Sequence, residues 1–371
     1  MLNQNEIKRY ARQIHLPDIG IEGQEKLKQA KVLIIGAGGL GCPVIQYLSA
    51  AGIGTIGVVD GDVVSESNLQ RQILYTSQDI GKSKATIATE KAQQLNSFIN
   101  INCMDEFIAP QQALEIFPNY DLIVDCSDNF GTRYLINDVC VLLGKPFVSA
   151  ALYRYEGQLG TYNVLQENDT YSANFRDVFP TNDLKSTTLN CNDAGVIATL
   201  PGIMGLYQAN EVLNYFLNKN LCLTNKLFSF NCKKLNHFIF EVQSNNNVNH
   251  KTLEEILAIN YGITCTQKME YELSWFIEDK DAIIVDVREF EELPIFVAAT
   301  HLQLPLSELE KNKIILAPYQ KILFVCKSGI RSKKAQEIIS NYFFDKQLFS
   351  YKTGIEELSE ELENLSKPCN Y

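Results

Sequence analysis

The sequence of 371 residues lacks several features that mark particular protein classes. It has no apolar run near the 18 or more residues of a membrane-spanning helix, and its first residues lack the charged and apolar regions of a signal peptide. Its ten cysteines include no C-x-x-C pair, so we expect free thiols in a reducing compartment and not a disulfide framework. The sequence therefore predicts a cytoplasmic chain with no membrane partner.

The chain has fewer basic than acidic residues, 33 Lys and Arg against 44 Asp and Glu. A net charge of −11 argues against nucleic acid and anionic membranes as partners. The 371 residues give room for two domains, each large enough to bury its own core.

A glycine-rich segment follows a short apolar run near the N-terminus. The run Lys31–Ile35 is typical of a strand, and it leads into Gly36-Ala37-Gly38-Gly39-Leu40-Gly41, which has the spacing G-x-G-x-x-G. Backbone N–H groups at a helix N-terminus carry partial positive charge, and glycines let them approach a phosphate closely. The segment predicts a nucleotide site. Because the same spacing is common in dehydrogenases, it leaves the nucleotide open.

The residues after the next predicted strand narrow that choice. The strand Gly54–Val59 ends at Asp60, which lies where an acid accepts hydrogen bonds from ribose hydroxyls. Beyond it, Asn68, Arg71 and Lys84 offer donors for a triphosphate, which a dehydrogenase would not need. A solvated loop is the alternative interpretation of this polar segment.

These motifs together resemble those of the MoeB/ThiF/HesA family, the bacterial relatives of ubiquitin-activating enzymes. The resemblance covers roughly residues 5–245, and its segments are Arg9-Tyr10-Ala11-Arg12-Gln13-Ile14, Gly36–Gly41, Asp60-Gly61-Asp62, Ser67-Asn68-Leu69-Gln70-Arg71-Gln72, Gly81-Lys82-Ser83-Lys84 and Asp125-Cys126-Ser127-Asp128-Asn129. It implies a Rossmann-like α/β adenylation fold. It also implies that ATP and magnesium are used to adenylylate the C-terminal Gly-Gly carboxylate of a ubiquitin-like sulfur carrier protein.

The same resemblance implies roles for individual residues. The residues expected to bind ATP are Gly36, Gly38, Gly39, Gly41, Asp60, Asp62, Ser67, Asn68, Arg71, Lys84, Asp128 and Asn129. Arg71, Lys84 and Asp128 are the expected catalytic residues among them, and Asp128 would hold magnesium against the phosphates. Arg12 would reach the phosphates of the neighbouring subunit's site, which implies a homodimer.

Hydrophobic periodicity and turn signals divide the chain into domains. Helices are predicted over 22–30 and 82–95, and strands over 99–103, 121–125, 147–151 and 158–164, the last two joined by a turn at Glu156-Gly157. We expect this later half to carry an antiparallel platform for the protein substrate. The asparagine-rich run 242–252 cannot pack a core. We therefore predict an adenylyltransferase domain over 1–241, a linker over 242–267 and a second domain over 268–371.

A second group of motifs follows the predicted linker. Ala282–Glu289 is predicted as a strand ending in an Asp-x-Arg-Glu turn, and a strand over 322–325 leads to the loop Cys326-Lys327-Ser328-Gly329-Ile330-Arg331. A thiolate at a helix mouth beside Lys327 and Arg331 is stabilised by the helix dipole and the cations. These residues resemble a small α/β rhodanese domain over about 268–365. The family chemistry is a cysteine persulfide, and the alternative is an inactive domain used only for docking.

The length of this loop and a second thiol complete the predicted mechanism. Cys326 to Arg331 spans six residues, which fits a sulfurtransferase better than the related Cdc25-type phosphatases, whose loop is one residue longer. A cysteine desulfurase or another sulfane-sulfur donor would load Cys326, and its persulfide would attack the acyl adenylate. Cys191 matches the crossover-loop cysteine of the family and is the candidate thiol that releases the thiocarboxylate. An unreactive Cys191 is the alternative.

One region departs from the family pattern. Most relatives hold a structural zinc with two C-x-x-C pairs, but here the first position reads Thr170-Tyr171-Ser172-Ala173 and the second region has Cys232 alone. Since four thiolates are required, we predict no zinc. We expect packing of Tyr171, Phe175 and Phe179 to hold residues 166–190 instead.

Other functions stay open at this point. A NAD-dependent dehydrogenase would need an acid-base histidine, and the four histidines, His15, His237, His250 and His301, do not fall where a cleft is expected. A non-catalytic scaffold would lose Arg71, Lys84 or Asp128, and all three are present. Within the family, a MoaD-like carrier for molybdopterin is favoured over a ThiS-like carrier for the thiamine thiazole, and activation for cysteine or peptide-antibiotic synthesis is a third possibility.

Overall fold

The chain folds into two compact α/β units, Met1–Cys265 and Thr266–Tyr371. The computed structural model describes residues 1–180, 195–245, 251–259, 261, 273, 276, 279–293, 301–327, 329–340, 342–343, 346–351, 354–355 and 358–359. The predicted fold class, a Rossmann-like domain followed by a small α/β domain, is confirmed.

The first unit begins as alternating strands and helices. Its strands are β1 (Lys31–Ile35), β2 (Thr55–Val59), β3 (Asn100–Met104), β4 (Leu122–Asp125) and β5 (Phe147–Tyr153), and its helices to this point are Gln4–Ile14, Gly20–Gln29, Gly41–Ala51, Lys84–Leu95, Pro110–Ile116 and Phe130–Leu143. The five strands are parallel in the order β3-β2-β1-β4-β5. The order reverses between β1 and β4, and ligands of such sheets bind at the carboxyl ends of the strands beside that reversal.

The sheet continues with antiparallel strands. β6 (Glu156–Tyr162), β7 (Lys226–Asn231) and β8 (Asn236–Glu241) follow β5 in that order, with the helices Phe175–Val178 and Thr199–Leu217 between β6 and β7 along the chain. The predicted turn at Glu156-Gly157 is wrong by two residues. Tyr153 pairs with Glu156, so the turn is Arg154-Tyr155, and Arg154 has a left-handed φ of 55°.

Strand alternation builds an apolar core on both faces of this sheet. Val32 and Ile34 of β1 lie in one hydrophobic cluster, which the helices Gly41–Ala51 and Thr199–Leu217 cover. Leu33 and Ile35 lie in the other cluster, under the helix Phe130–Leu143. Side chains of a strand point alternately to opposite faces, so a sheet covered on both sides requires this unbroken apolar run. No helix in the described part of the chain is both long and apolar enough for a membrane span.

The interval predicted as a linker contains a packed helix. Leu253–Ala258 is helical, and Ile256 is fully buried against the first unit. The Tyr261 hydroxyl donates a hydrogen bond of 2.8 Å to Asp138. The first compact unit runs to Cys265, and the predicted domain bounds 1–241 and 268–371 stay predictions.

The segment without the cysteine pairs is held by polar contacts as well as aromatic packing. Phe175 and Phe179 lie 4.8 Å apart between ring centroids. The Arg176 guanidinium donates two hydrogen bonds to the buried Asp138 carboxylate, at 2.6 and 2.7 Å. The aromatic tether that we predicted is thus only part of the packing, and the expected absence of zinc stays a prediction.

The second unit contains a four-stranded parallel sheet. Its strands are β9 (Ala282–Asp286), β10 (His301–Gln303), β11 (Lys321–Val325) and β12 (Gln347–Ser350), in the order β10-β9-β11-β12. Its described segments include the α-helices Leu306–Leu309 and Ile330–Ser340 and the 3₁₀ helix Lys313–Leu316. β9 and β11 form the buried centre of the sheet and run in register up to the pair Asp286–Val325. Their carboxyl ends therefore bring Asp286 and Cys326 to the same edge.

Candidate functional site

The glycine loop after β1 is a close backbone crossing at which side chains would collide. Gly36 has a φ of +98°, and a Cβ there would lie 2.8 Å from the carbonyl oxygen of Cys126. A Cβ at Gly39 would lie 3.0 Å from Pro201, and one at Gly41 would collide with the Gly36 carbonyl. The helix Gly41–Ala51 starts directly after this crossing. The loop therefore presents bare backbone at a helix N-terminus, as phosphate binding requires.

A cavity opens at the carboxyl ends of β1, β2 and β4. Most residues predicted to bind ATP line it, namely Gly36, Gly38, Gly39, Asp60, Asp62, Arg71, Lys84, Asp128 and Asn129. Gly41, Ser67 and Asn68 lie outside the cavity lining that the described residues form. The fold thus brings together, at the point where the strand order reverses, predicted residues that lie between positions 36 and 129 of the sequence.

Asp60 connects the glycine loop to the end of β2. Its Oδ2 accepts a hydrogen bond of 2.7 Å from the Ala37 N–H, and its Oδ1 accepts one of 2.8 Å from the Asp62 N–H. Burial raises the pKa of the Asp60 carboxyl above its ordinary value. Each carboxylate oxygen has a second lone pair, so Asp60 can still accept from ribose hydroxyls.

Lys84 reaches the cavity from the start of the helix Lys84–Leu95. Its Nζ lies 3.0 Å from Asp62 Oδ2, and the lysine side chain is 6% exposed while that of Asp62 is 58% exposed. The Tyr75 hydroxyl donates to the carbonyl of Ala37 at 2.8 Å and lies 3.2 Å from that of Lys84. This buried tyrosine ties the lysine backbone to the glycine loop.

A short turn after Asp62 positions Arg71. Glu66–Asn68 is a 3₁₀ turn, and the Asn68 carbonyl accepts hydrogen bonds from the N–H groups of Arg71 and Gln72. The Arg71 guanidinium donates to the Ser67 carbonyl at 3.0 Å. Ser67 and Asn68 therefore shape the turn that carries Arg71, although the sequence predicts direct nucleotide contacts for both.

The end of β4 holds a rigid polar turn. Asp125 is fully buried and accepts hydrogen bonds of 2.6 Å from the hydroxyls of Ser127 and Ser149. Asn129 caps the helix Phe130–Leu143, and its Oδ1 accepts from the Thr132 N–H at 2.8 Å. Asp128 between them is exposed at the cavity wall. The turn fixes the backbone and leaves the Asp128 carboxylate facing solvent.

The cavity lining also contains polar residues that the sequence does not predict as site residues, among them Gln72, Arg133 and Arg154. Gln72 is 4% exposed, and its Oε1 has no hydrogen-bond partner among the described residues. Arg133 is buried and donates to the Ser127 carbonyl at 2.8 Å. Arg154 arrives from the β5–β6 turn. Gln72 could have been found from its place beside Arg71, whereas Arg133 and Arg154 belong to a helix and a turn that give no local signal.

Arg12 and Cys191 are the remaining predicted residues of the adenylation half. Arg12 is exposed in the last turn of the helix Gln4–Ile14 and does not line the cavity of its own chain in the described structure. Cys191 lies outside the described residues.

In the second unit, Cys326 follows β11 at the mouth of the helix Ile330–Ser340. The residue is 1% exposed, and its Sγ accepts a hydrogen bond of 3.3 Å from the Ser332 N–H. The Ser332 hydroxyl lies 3.5 Å from the same sulfur. An N–H at a helix N-terminus favours a thiolate over a thiol, so this geometry is suited to a nucleophilic sulfur.

The cations of this loop differ from one another in their surroundings. Arg331 forms a two-pronged ion pair with Glu292, with a distance of 2.7 Å between Nη2 and Oε2. This hydrogen bonding lowers the pKa of the Glu292 carboxyl to about 2. Lys327 is exposed. The sequence predicts that both cations flank the thiolate, and it gives no signal for Glu292.

Comparison with known proteins identifies the families of both units. The sequence profile described as the ThiF family matches residues 10–252, and the profile described as the Rhodanese-like domain matches residues 270–361. A Mycobacterium tuberculosis protein named probable adenylyltransferase/sulfurtransferase MoeZ is 33% identical over 351 residues, covering 90% of this chain and 88% of that protein.

Two further relatives match over a shorter part of the chain. The Xenopus laevis protein named adenylyltransferase and sulfurtransferase MOCS3 is 49% identical over 212 residues, which are 57% of this chain and 46% of the relative. The chain thus spans about half the length of that relative. A Thermus thermophilus protein named sulfur carrier protein adenylyltransferase is 45% identical over 214 residues, which are 58% of this chain and 79% of the relative.

Solved structures agree with the fold. The crystal structure of Escherichia coli MccB covers 68% of this chain and 74% of its own, with a TM-score of 0.58 and 23% identity, a likeness that concerns the fold alone. The names of the relatives match the predicted enzyme class. By the profile match over 243 residues from 10 to 252 and the match to MoeZ, the chain belongs to the ThiF family and carries a Rhodanese-like domain in its second unit.

Proposed function

We propose that the protein adenylylates the C-terminal Gly-Gly carboxylate of a ubiquitin-like sulfur carrier and converts it to a thiocarboxylate. ATP would supply the adenylyl group in the first unit, and Cys326 of the second unit would supply the sulfur as a persulfide. The names of the relatives from M. tuberculosis and T. thermophilus support both halves of this proposal.

The observation that carries the proposal is the cavity beside β1 and β4. Bare glycine backbone, an acid at the end of β2 and two cations, Arg71 and Lys84, line one space. Such a set matches the parts of ATP, because Asp60 suits the ribose and the N–H groups and cations suit a triphosphate. A dinucleotide carries only a diphosphate, which the glycine loop itself binds, so Arg71 and Lys84 favour the longer triphosphate.

Charge neutralisation is the principal catalytic contribution of this site. The carrier carboxylate attacks the α-phosphorus, a new C(O)O–P bond forms, and pyrophosphate leaves with the electrons of the broken P–O bond. Negative charge accumulates on the departing phosphates, where Lys84 and Arg71 stabilise it. Lys84 is suited to this role because its ammonium is buried at the cavity wall and fixed by the fold.

Magnesium fits one carboxylate of the cavity best. Both oxygens of Asp60 already accept backbone hydrogen bonds, and Asp62 is paired with Lys84. The fourth acid of the lining, Glu106, accepts a hydrogen bond from the Gln112 side chain. Asp128 offers an exposed carboxylate at the same wall, and oxygen ligands of this kind bind Mg²⁺ together with phosphates. Bound there, magnesium would neutralise phosphate charge.

The thiocarboxylate requires two thiols. The Cys326 persulfide would attack the acyl carbon of the adenylate and expel AMP, which leaves an acyl disulfide. A second thiol would attack the sulfur of Cys326, forming a disulfide with it and releasing the thiocarboxylate. Cys191 is our candidate for that thiol, on the resemblance of its segment to the family loop.

The carrier and the assembly are further parts of this proposal. We favour a MoaD-like carrier for molybdopterin, with a ThiS-like carrier for the thiamine thiazole as the alternative. We also propose a homodimer in which Arg12 reaches the neighbouring site. Its exposure at the end of the first helix leaves it accessible to another subunit. A cysteine desulfurase is the proposed sulfur donor.

Carrier-dependent exchange of labelled pyrophosphate into ATP tests the first half-reaction. Exchange should require magnesium and a carrier that ends in Gly-Gly, and Asp128→Asn should reduce it by at least about 100-fold, because the phosphates would lose their metal contact. Asp105→Asn is the matched control, since Asp105 is exposed and does not line the cavity.

Exchange without any carrier would contradict the assignment of the substrate. Equal exchange in Asp128→Asn and Asp105→Asn would remove Asp128 from the site. Tight NAD binding without exchange would instead favour the dehydrogenase alternative.

A further inference from the structure

The charge of Arg331 is already engaged within its own unit. Its Nη1 and Nη2 both donate to Glu292, and Glu292 Oε1 also accepts a hydrogen bond of 3.0 Å from the Glu289 N–H. The acid is thereby held by its own turn, so the pair does not depend on two loose side chains. A planar guanidinium facing both oxygens of a carboxylate is the strongest geometry for such a pair.

The pair is nevertheless accessible to a competing anion. The side chains of Arg331 and Glu292 are 34% and 30% exposed. Both side chains are partly open to solvent, so an anion in solution can reach the guanidinium and must compete there with the carboxylate. A second arginine nearby, Arg288, is different, because it is 1% exposed and its guanidinium bonds to the equally buried Asp286 at 2.7 Å. Arg331 is thus the arginine that a ligand at the Cys326 loop can approach.

This arrangement matters for the chemistry of sulfur donors. Thiosulfate carries two negative charges. Transfer of its sulfane sulfur begins when the Cys326 thiolate attacks that sulfur atom. A new Cys–S bond forms, the S–S bond of thiosulfate breaks, and sulfite leaves with that electron pair. Two anions must therefore meet, and a free guanidinium at the loop would favour the encounter. The Glu292 carboxylate, bonded to the Arg331 guanidinium, opposes the approach of thiosulfate.

We propose that Glu292 determines which sulfur donors Cys326 accepts, because it occupies Arg331 and so disfavours small dianionic donors relative to a persulfide carried by a protein. The inference rests on the proposed sulfurtransferase function of the second unit. A protein-borne persulfide derives its affinity from contacts elsewhere on the two surfaces, so it depends less on Arg331 than thiosulfate does.

Steady-state transfer from thiosulfate to cyanide tests the proposal. Glu292→Gln keeps the size of the side chain and removes its charge, so it should lower the KM for thiosulfate by at least about fivefold with a smaller change in kcat. The KM for methanethiosulfonate, a singly charged donor, should fall less. In both cases cyanide removes the sulfur from the Cys326 persulfide as thiocyanate.

Glu289→Gln is the matched control for net charge. Glu289 lies near Arg331, but its Oε1 accepts from the Ser307 hydroxyl at 3.1 Å, and Arg331 bonds to Glu292. If Glu292 acts by occupying Arg331, Glu289→Gln should change the KM for thiosulfate less than about twofold. An equal fall in KM for both variants would overturn the inference, since it would show an effect of net charge alone.

Glu292→Ala provides a second variant that should move the KM in the same direction. An unchanged or higher KM in Glu292→Gln and Glu292→Ala, or loss of transfer in both, would overturn the inference, because the acid would then support Arg331 instead of masking it. These results leave wild-type transfer intact and so spare the proposed function. Absence of transfer from both donors in the wild type and every variant would overturn the sulfurtransferase function and the inference together.

Discussion

Lys84 of the first unit and Arg331 of the second unit differ in how far they are buried relative to their acidic partners. In the first unit, the Lys84 side chain is 6% exposed and its partner Asp62 is 58% exposed. In the second unit, Arg331 and Glu292 are 34% and 30% exposed. Lys84 is therefore buried while its partner Asp62 is exposed. Arg331 and its partner Glu292 are both partly exposed.

This difference corresponds to the ligands that we propose for each site. A buried ammonium has lost most of its hydration, so a polyphosphate that enters the cavity meets a cation that needs no reorganisation. The exposed Asp62 can turn to solvent when phosphate takes its place. The Arg331–Glu292 pair instead presents both charges, and a small anion must compete with a carboxylate that is covalently part of the site.

The pKa values of the carboxyl groups at the two sites are also shifted in opposite directions. Burial raises the pKa of Asp60, whereas the Arg331 guanidinium lowers that of Glu292 to about 2. Desolvation dominates where the fold surrounds a carboxyl group, and a charge partner dominates where the group stays near solvent. Burial thus has the larger effect on the pKa of Asp60, and the ion pair with Arg331 has the larger effect on that of Glu292.

Replacing Lys84 should give the larger of the two effects that test this comparison. Lys84→Met keeps the aliphatic stem and removes a preorganised charge, so it should reduce pyrophosphate exchange by at least about 100-fold. Lys82→Met is the control, because Lys82 is exposed two residues away and does not line the cavity. The same loss in both variants would show that net charge, and not the position of Lys84, carries the effect.

The smaller effect concerns the stability of the second unit. The pKa of Glu292 is about 2, below the ordinary value near 4.3 for glutamate, so its pair with Arg331 stabilises the folded state above about pH 4.3. That contribution is lost as the pH falls toward the folded-state pKa. We expect Glu292→Gln to lower the free energy of unfolding by about 0.5 kcal/mol near pH 6 and by progressively less as the pH falls to about 2.

The sequence offers a local probe for that measurement. Its single tryptophan, Trp275, falls within the sequence range of the second unit, 266–371, so tryptophan fluorescence during urea unfolding is the readout. A difference between wild type and Glu292→Gln that persists unchanged near pH 2 would show that the carboxylate stabilises by packing and not by its charge.

The parts of the site that follow local rules could be predicted from sequence. Gly36 and Gly39 are needed where the backbone crosses a neighbouring segment closely, and Asp60 follows β2 at a fixed separation from them. Cys326 likewise follows a buried strand and precedes a helix. In each case a strand, a turn and a helix start are consecutive, so the chain itself sets the geometry.

Residues that act through distant contacts could not be predicted in this way. Glu292 meets Arg331 across 39 residues, and Asp138 meets Tyr261 across 123 residues. No periodicity or spacing encodes such pairs. The helix Leu253–Ala258 is a different case, because Thr252 and Glu255 form a capping box that the sequence displays. The capping box is therefore the local signal for this helix, next to an asparagine-rich run that favours a linker.

The central claim is that the two units act in sequence on one carrier. Mass analysis of a Gly-Gly-tailed carrier, incubated with ATP, magnesium and a persulfidated cysteine desulfurase, tests it most directly. The wild type and Cys103→Ser, a change at an exposed cysteine of β3, should yield the thiocarboxylate. Cys326→Ser should stop at the acyl adenylate while pyrophosphate exchange continues at the wild-type rate. Thiocarboxylate formed by Cys326→Ser as fast as by the wild type would contradict the account.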